Sequence, residues 1–213
     1  MSFTPEMLKC YLFGGSQDVN HDPEQFIAKV ALTLRMGISA FQFREKGTST
    51  LNWSDKVTLG KLLRQLTRNY QVPLFVDDDL KLARAIDADG IHVGQSDEAI
   101  EHVLAEAAPD WIVDYSCHTL AQIDYANTLK VDYIGSGPIF ATQSKADADP
   151  VIGLTGLSQL VQRSKHPIVA IGGIDVANSA EVLTTGAAGL SMISSILSNP
   201  NPGTAIEHIN SLY

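Results

Sequence analysis

Apolar, β-branched-rich runs recur along the chain, and each is followed by a stretch in which apolar positions return at helical spacing. The runs are Leu8 to Phe13, Ile38 to Arg44, Pro73 to Asp77, Gly90 to Val93, Trp111 to Ser116, Asp132 to Gly135, Pro167 to Gly172 and Ala188 to Ile193. PIVAIGG and DYIGSG place apolar residues at successive positions without alternation, the pattern of strands buried on both faces. Parallel strands of that kind need helical crossovers. Helix starts are signalled by Asp22 with Pro23 and Gln25, by Ser54 ahead of Lys56 to Tyr70, by Thr119 with Gln122, and by Asp175 ahead of Val176 to Thr185. Gly37 and Gly186 stand where helix-ending glycines belong.

Strand and helix alternating eight times over 213 residues predicts an α/β fold, a (β/α)8 TIM barrel, ahead of an open doubly wound sheet. No linker, low-complexity stretch or close repeat interrupts the alternation, so residues 1–213 are expected to form a single barrel domain.

Composition narrows the function. Hydrophobic residues at 45% supply a sizeable core, and charged residues at 18% are too few for a disordered chain. The net charge of −9 argues against a nucleic-acid or anionic-membrane surface, so any anion must meet a local basic pocket. No apolar run is long enough to span a bilayer, and MSFTPEMLKCYLF lacks the pattern of a secretory signal; a cytoplasmic protein is expected. Cys10 and Cys117 suit neither a disulfide framework nor a zinc site.

In a barrel the reactive groups come from the C-terminal ends of the strands. Gln42, Arg44 and Lys46 share one side of an extended run, with Phe41 and Phe43 pointing the other way. With Lys145 after strand six, Arg44 and Lys46 would make a cationic cluster suited to a diphosphate. QFREK alone leaves open a plainer reading, in which Arg44 and Lys46 pair with Glu45 or with Asp77, Asp78 and Asp79. Asp78 and Asp97, at neighbouring strand ends, could hold Mg²⁺ against phosphate oxygens; equally, VDDDLKLARAI reads as an ordinary capped helix start. AIGGI and LSMISSI offer a second anion site at Gly172, Gly173, Ser194 and Ser195, or serve only as tight turns. Ser116, Cys117 and His118 have no acidic orienting group at clear spacing, which disfavours covalent catalysis, and His92 reads as a hydrogen-bonded barrel residue.

Taken together, FQFREKG, FVDDD, ADGIHVGQSD, DYSCHT, DYIGSGPIFATQSK, PIVAIGGI and GLSMISSI, in this order, resemble the thiamine-phosphate synthase (thiamine-phosphate pyrophosphorylase) family over essentially the whole chain. The resemblance implies a Mg²⁺-dependent transferase that joins hydroxymethylpyrimidine diphosphate to thiazole phosphate and releases pyrophosphate. Carried over by residue, Gln42, Arg44, Lys46, Ser116 and Lys145 would contact the pyrimidine diphosphate, with Asp77 beside it, and Asp78 and Asp97 would hold the metal. Thr142, Ser144, Gly173, Ile193 and Ser194 would hold the thiazole phosphate. The implied partners are these small molecules, with a homo-oligomer possible.

Three positions depart from the resemblance. Asp77 stands where asparagine is usual, Ser144 where a threonine is usual, and Asp114 where a glycine is usual. Alternation with Ser116 turns the Asp114 side chain inward. Rival readings are a thiazole tautomerase using His118, a non-catalytic barrel that binds thiamine precursors, and a phosphosugar isomerase or aldolase; the last would need a general base or a Schiff-base lysine buried in the barrel, and no lysine lies inside a candidate strand.

Overall fold

In the computed structural model, which describes residues 2–96, 99–142, 144 and 149–213, strand and helix alternate throughout. The strands are β1 (Cys10–Gly14), β2 (Ala40–Phe43), β3 (Leu74–Asp77), β4 (Gly90–Val93), β5 (Ile112–Ser116), β6 (Tyr133–Ser136), β7 (Ile168–Ile171) and β8 (Gly189–Met192). The helices are α1 (Pro23–Met36), α2 (Trp53–Asn69), α3 (Leu80–Ala85), α4 (Ile100–Glu106), α5 (Leu120–Ala126), α6 (Gly153–Arg163), α7 (Ser179–Leu183), α8 (Ser194–Leu197) and α9 (Pro202–Asn210). Each strand pairs in parallel with its sequence neighbours, and β8 pairs with β1 to close the barrel. This is the (β/α)8 architecture, not the open sheet.

The predicted strands are all present: β4 keeps its predicted bounds, the others lose one to three flanking residues, and β1 and β6 run one residue further at their C-terminal ends. Asp22 caps α1 by accepting from Gln25 N at 3.0 Å, and Thr119 caps α5 with Gln122 in a capping box. Two starts differ from expectation. Asn52 rather than Ser54 caps α2, and Asp175 closes a turn onto Ala177 N and Asn178 N, so that α7 begins only at Ser179.

Two apolar layers follow from strand alternation. Phe41 and Phe43 face outward and meet Phe26 of α1 at ring distances of 6.1 and 6.5 Å. Inside the barrel, Tyr11, Phe75 and Tyr133 pack against one another at 5.6 to 6.3 Å, with the two hydroxyls 3.0 Å apart. Gly189 lets the end of the barrel close, since a Cβ there would come 1.7 Å from Leu8 O. Among the described residues, no helix is long and apolar enough to cross a membrane.

Candidate active site

Above the aromatic layer the C-terminal rim opens into a cavity of about 760 Å³. Arg44, Lys46, Asp77 and Ser116 line one side, and Thr142, Ser144, Gly173, Ile193 and Ser194 the other. Two nominated residues stand elsewhere. Gln42 is fully buried one layer lower, where Nε2 donates to Tyr11 Oη at 3.4 Å, and Asp78 faces a smaller depression beside α3 and α4. Lys145 and Asp97 lie outside the described residues.

On the basic side, Arg44 Nε lies 3.4 Å from Asp77 Oδ2, and Lys46 pairs with Asp78. Both cations are thus met by the Asp triplet: Arg44 and Asp77 both line the cavity, while Lys46 of the cavity lining pairs with Asp78, which faces the smaller depression. Glu45 is turned away from them: its carboxylate accepts from Ser16 N at 2.8 Å, Ser16 Oγ at 2.6 Å and Ser49 Oγ at 2.6 Å. Gln17 Nε2 donates to Arg44 O at 2.6 Å, so the segment after β1 holds the backbone that carries Arg44. Within the Asp triplet the roles separate. Asp79 caps α3 by accepting from Leu82 N at 2.8 Å, while Asp78 adopts φ 54 and is not the capping residue.

The floor is polar. Register places Asp77 beside His92 and His92 beside Asp114 on three successive strands. His92 Nδ1 hydrogen-bonds Asp114 Oδ2, and His92 Nε2 lies 3.1 Å from Ser116 Oγ. Sequence reasoning gave His92 no role; the inward phase it shares with Gly90, and that of Asp114 with Ser116, was the available signal. Gln95 Nε2 donates to Ser116 O at 2.5 Å. Cys117 is buried, its thiol pushed up to about 12 by desolvation and then by the Asp114 charge, which leaves it protonated and a poor nucleophile at neutral pH. His118 lines the cavity with Nε2 3.2 Å from Asp149 Oδ2.

The opposite side is built from backbone. Gly172 and Gly173 have φ of +99 and +64. A Cβ on Gly172 would lie 2.5 Å from Pro138 Cβ, and one on Gly173 would lie 2.7 Å from Ala141 O, so both conformation and close approach demand glycine. Ser144 Oγ reaches Ser194 Oγ at 3.4 Å, joining the segment after β6 to the start of α8. The first N–H groups of a helix have no intrahelical acceptor, and those of α8 begin at the cavity. One cavity therefore has a cationic side and a glycine- and hydroxyl-rich side.

The family model described as thiamine monophosphate synthase matches residues 10–196. A thiamine-phosphate synthase of Limosilactobacillus fermentum is 54% identical over 213 residues, covering all of both chains, and one of Limosilactobacillus reuteri is 47% identical over 214 residues, again covering both. Among solved structures, a thiamine phosphate pyrophosphorylase from Pyrococcus furiosus superposes with a TM-score of 0.84 at 36% identity, covering 98% of this chain and 96% of that one. A tryptophan synthase structure from the same organism, at 10% identity and TM-score 0.69 over 97% and 98% of the two chains, shares the barrel alone. By its match to the family model and by full-length identity to these relatives, the chain belongs to the thiamine monophosphate synthase family.

Proposed function

We propose that this chain condenses an aminopyrimidine methyl diphosphate with a thiazole monophosphate, giving thiamine phosphate and pyrophosphate. The observation that carries the reading is the presence, in one cavity, of a cationic side at Arg44 and Lys46 and a second anion-compatible side at Gly173, Ser144 and Ser194. A reaction between a diphosphate and a monophosphate uses both.

Arg44, Lys46 and Lys145 bind the diphosphate, Ser116 orients the pyrimidine, and Thr142, Ser144, Gly173, Ile193 and Ser194 hold the thiazole phosphate. The bond from the pyrimidine methylene carbon to the diphosphate oxygen breaks, and its electron pair leaves with pyrophosphate. The thiazole nitrogen lone pair then forms the new carbon–nitrogen bond, so no side-chain nucleophile is consumed. The chain contributes cationic groups that neutralise the departing charge and a geometry that brings the two rings together.

Mg²⁺ is the metal this reading implies: the Asp78 carboxylate is a hard oxygen donor, released from helix capping by Asp79, and it pairs with Lys46 of the cavity lining while facing the smaller depression. Asp78 and Asp97 would hold the ion, which when bound supplies further neutralisation of the diphosphate. Pyrophosphate release by the purified chain, with each substrate alone and with both, with and without Mg²⁺, tests the reading. Release that needs both substrates and the metal is expected; silence with both present would favour a tautomerase or a non-catalytic binding barrel.

A further inference from the structure

Two side chains on the cavity floor have no part in the condensation as described, His92 and Asp114. Asp114 is fully buried, a costly place for a carboxylate unless it holds something. Its Oδ2 takes the hydrogen bond of His92 Nδ1, and the other ring nitrogen meets Ser116 Oγ at 3.1 Å. Asp77 Oδ1, 4.0 Å from Nε2, is too far to compete as a hydrogen-bond partner.

With the His92 ring neutral, these contacts fix where its one ring proton sits. A carboxylate can only accept, so Nδ1 must carry the hydrogen. A neutral imidazole has one N–H, which leaves Nε2 with a bare lone pair that accepts the Ser116 hydroxyl proton. The Ser116 O–H is thereby committed to the floor, and what the oxygen presents to the cavity is its lone pairs. A serine without such a partner would rotate to donate or accept as the ligand required.

We propose that Asp114 holds His92 as a neutral ring and that the two form a positioning pair that makes Ser116 an acceptor-only group, which selects a pyrimidine bearing a ring amine over one bearing an oxo group at the same position. The inference rests on the condensation reading for its substrate class. An exocyclic amine donates to the fixed lone pairs, whereas an oxo group brings acceptor against acceptor and leaves both unsatisfied.

The first test requires no turnover. Ring ¹⁵N spectra of the labelled free protein, with His92 assigned by the signals lost in His92→Gln, are expected to show a neutral ring protonated at Nδ1. Protonation at Nε2, or at both nitrogens, overturns the proposal. The second test compares kcat/KM for the aminopyrimidine and oxopyrimidine diphosphates in wild type and in Asp114→Asn, whose amide can turn to donate to Nδ1 and free the serine hydroxyl. The preference for the amine is expected to fall at least about tenfold in the variant. An equal loss on both substrates, or an unchanged ratio, overturns the proposal. A wild type that releases pyrophosphate from neither ring overturns the condensation instead, while the tautomer still decides for or against the pair.

Discussion

Arg44 Nε lies 3.4 Å from Asp77 Oδ2, with both side chains largely buried, so a guanidinium placed to meet a diphosphate is already answered by the chain's own carboxylate. An incoming diphosphate must share Arg44 with that charge. Asp77→Asn removes the repulsion and keeps an oxygen toward the arginine, and KM for the pyrimidine diphosphate is expected to fall about threefold to tenfold, on the order of 1 kcal/mol. Initial rates of pyrophosphate release at varied diphosphate check this; a raised KM would mean that Asp77 assists binding.

Gly173→Ala is expected to damage the monophosphate side selectively. The φ of +64 strains any side chain, and the added Cβ would press on Ala141 O at 2.7 Å. Gly47 has a similar φ of +69 with nothing within 4 Å, so Gly47→Ala isolates the conformational cost of about 1–2 kcal/mol. Thermal denaturation of both variants should show the larger loss at 173, and KM should rise more for the thiazole phosphate than for the diphosphate.

The N-terminal end of the barrel depends on a different pair. Arg64 Nη1 and Nη2 lie 2.5 and 2.8 Å from the Asp89 carboxylate, which also accepts from Leu74 N at 2.8 Å and so ties α2 to β3. Arg64→Ala leaves a nearly buried carboxylate short of its cation and is expected to cost about 2–4 kcal/mol in urea denaturation. KM for both substrates should hold, since the pair lies away from the cavity.

Alkaline pH should weaken the fold. Burial pushes the Cys10 and Cys117 thiols up to about 12, and burial followed by the Asp114 charge raises the Tyr11 and Tyr133 hydroxyls. The folded chain then keeps protons that the unfolded chain releases, so the stability these groups contribute is complete below about pH 8.5 and is lost as pH climbs toward the folded values. Tm measured from pH 7 to 11 should fall above about pH 9; a level Tm to pH 10.5 would contradict the assignment.

The barrel was legible because parallel strands buried on both faces leave apolar runs that side-chain alternation does not interrupt, as in PIVAIGG. Alternation also set the phase of Gln42 with Arg44, but phase does not give depth, and Gln42 lies a layer below the cavity. Among Asp77, Asp78 and Asp79 the adjacent charges look alike in sequence; only the entry of the chain into α3 decides that Asp79 caps. The link between His92 and Asp114 spans 22 residues and two strands, so it becomes visible only through the register of β4 against β5.

The segment after β6 rests directly on the turn after β7. Ile139 N and Phe140 N donate to Ile171 O and Gly172 O at 3.0 Å each, and Pro138 and Ala141 fill the space that side chains at 172 and 173 would need. Neither segment can be remodelled without the other. A chimera that imports residues 137–144 from a distant relative should therefore work only when 172–173 and their neighbours come with them, which makes the two stretches a single heritable cassette despite the helix that separates them in sequence.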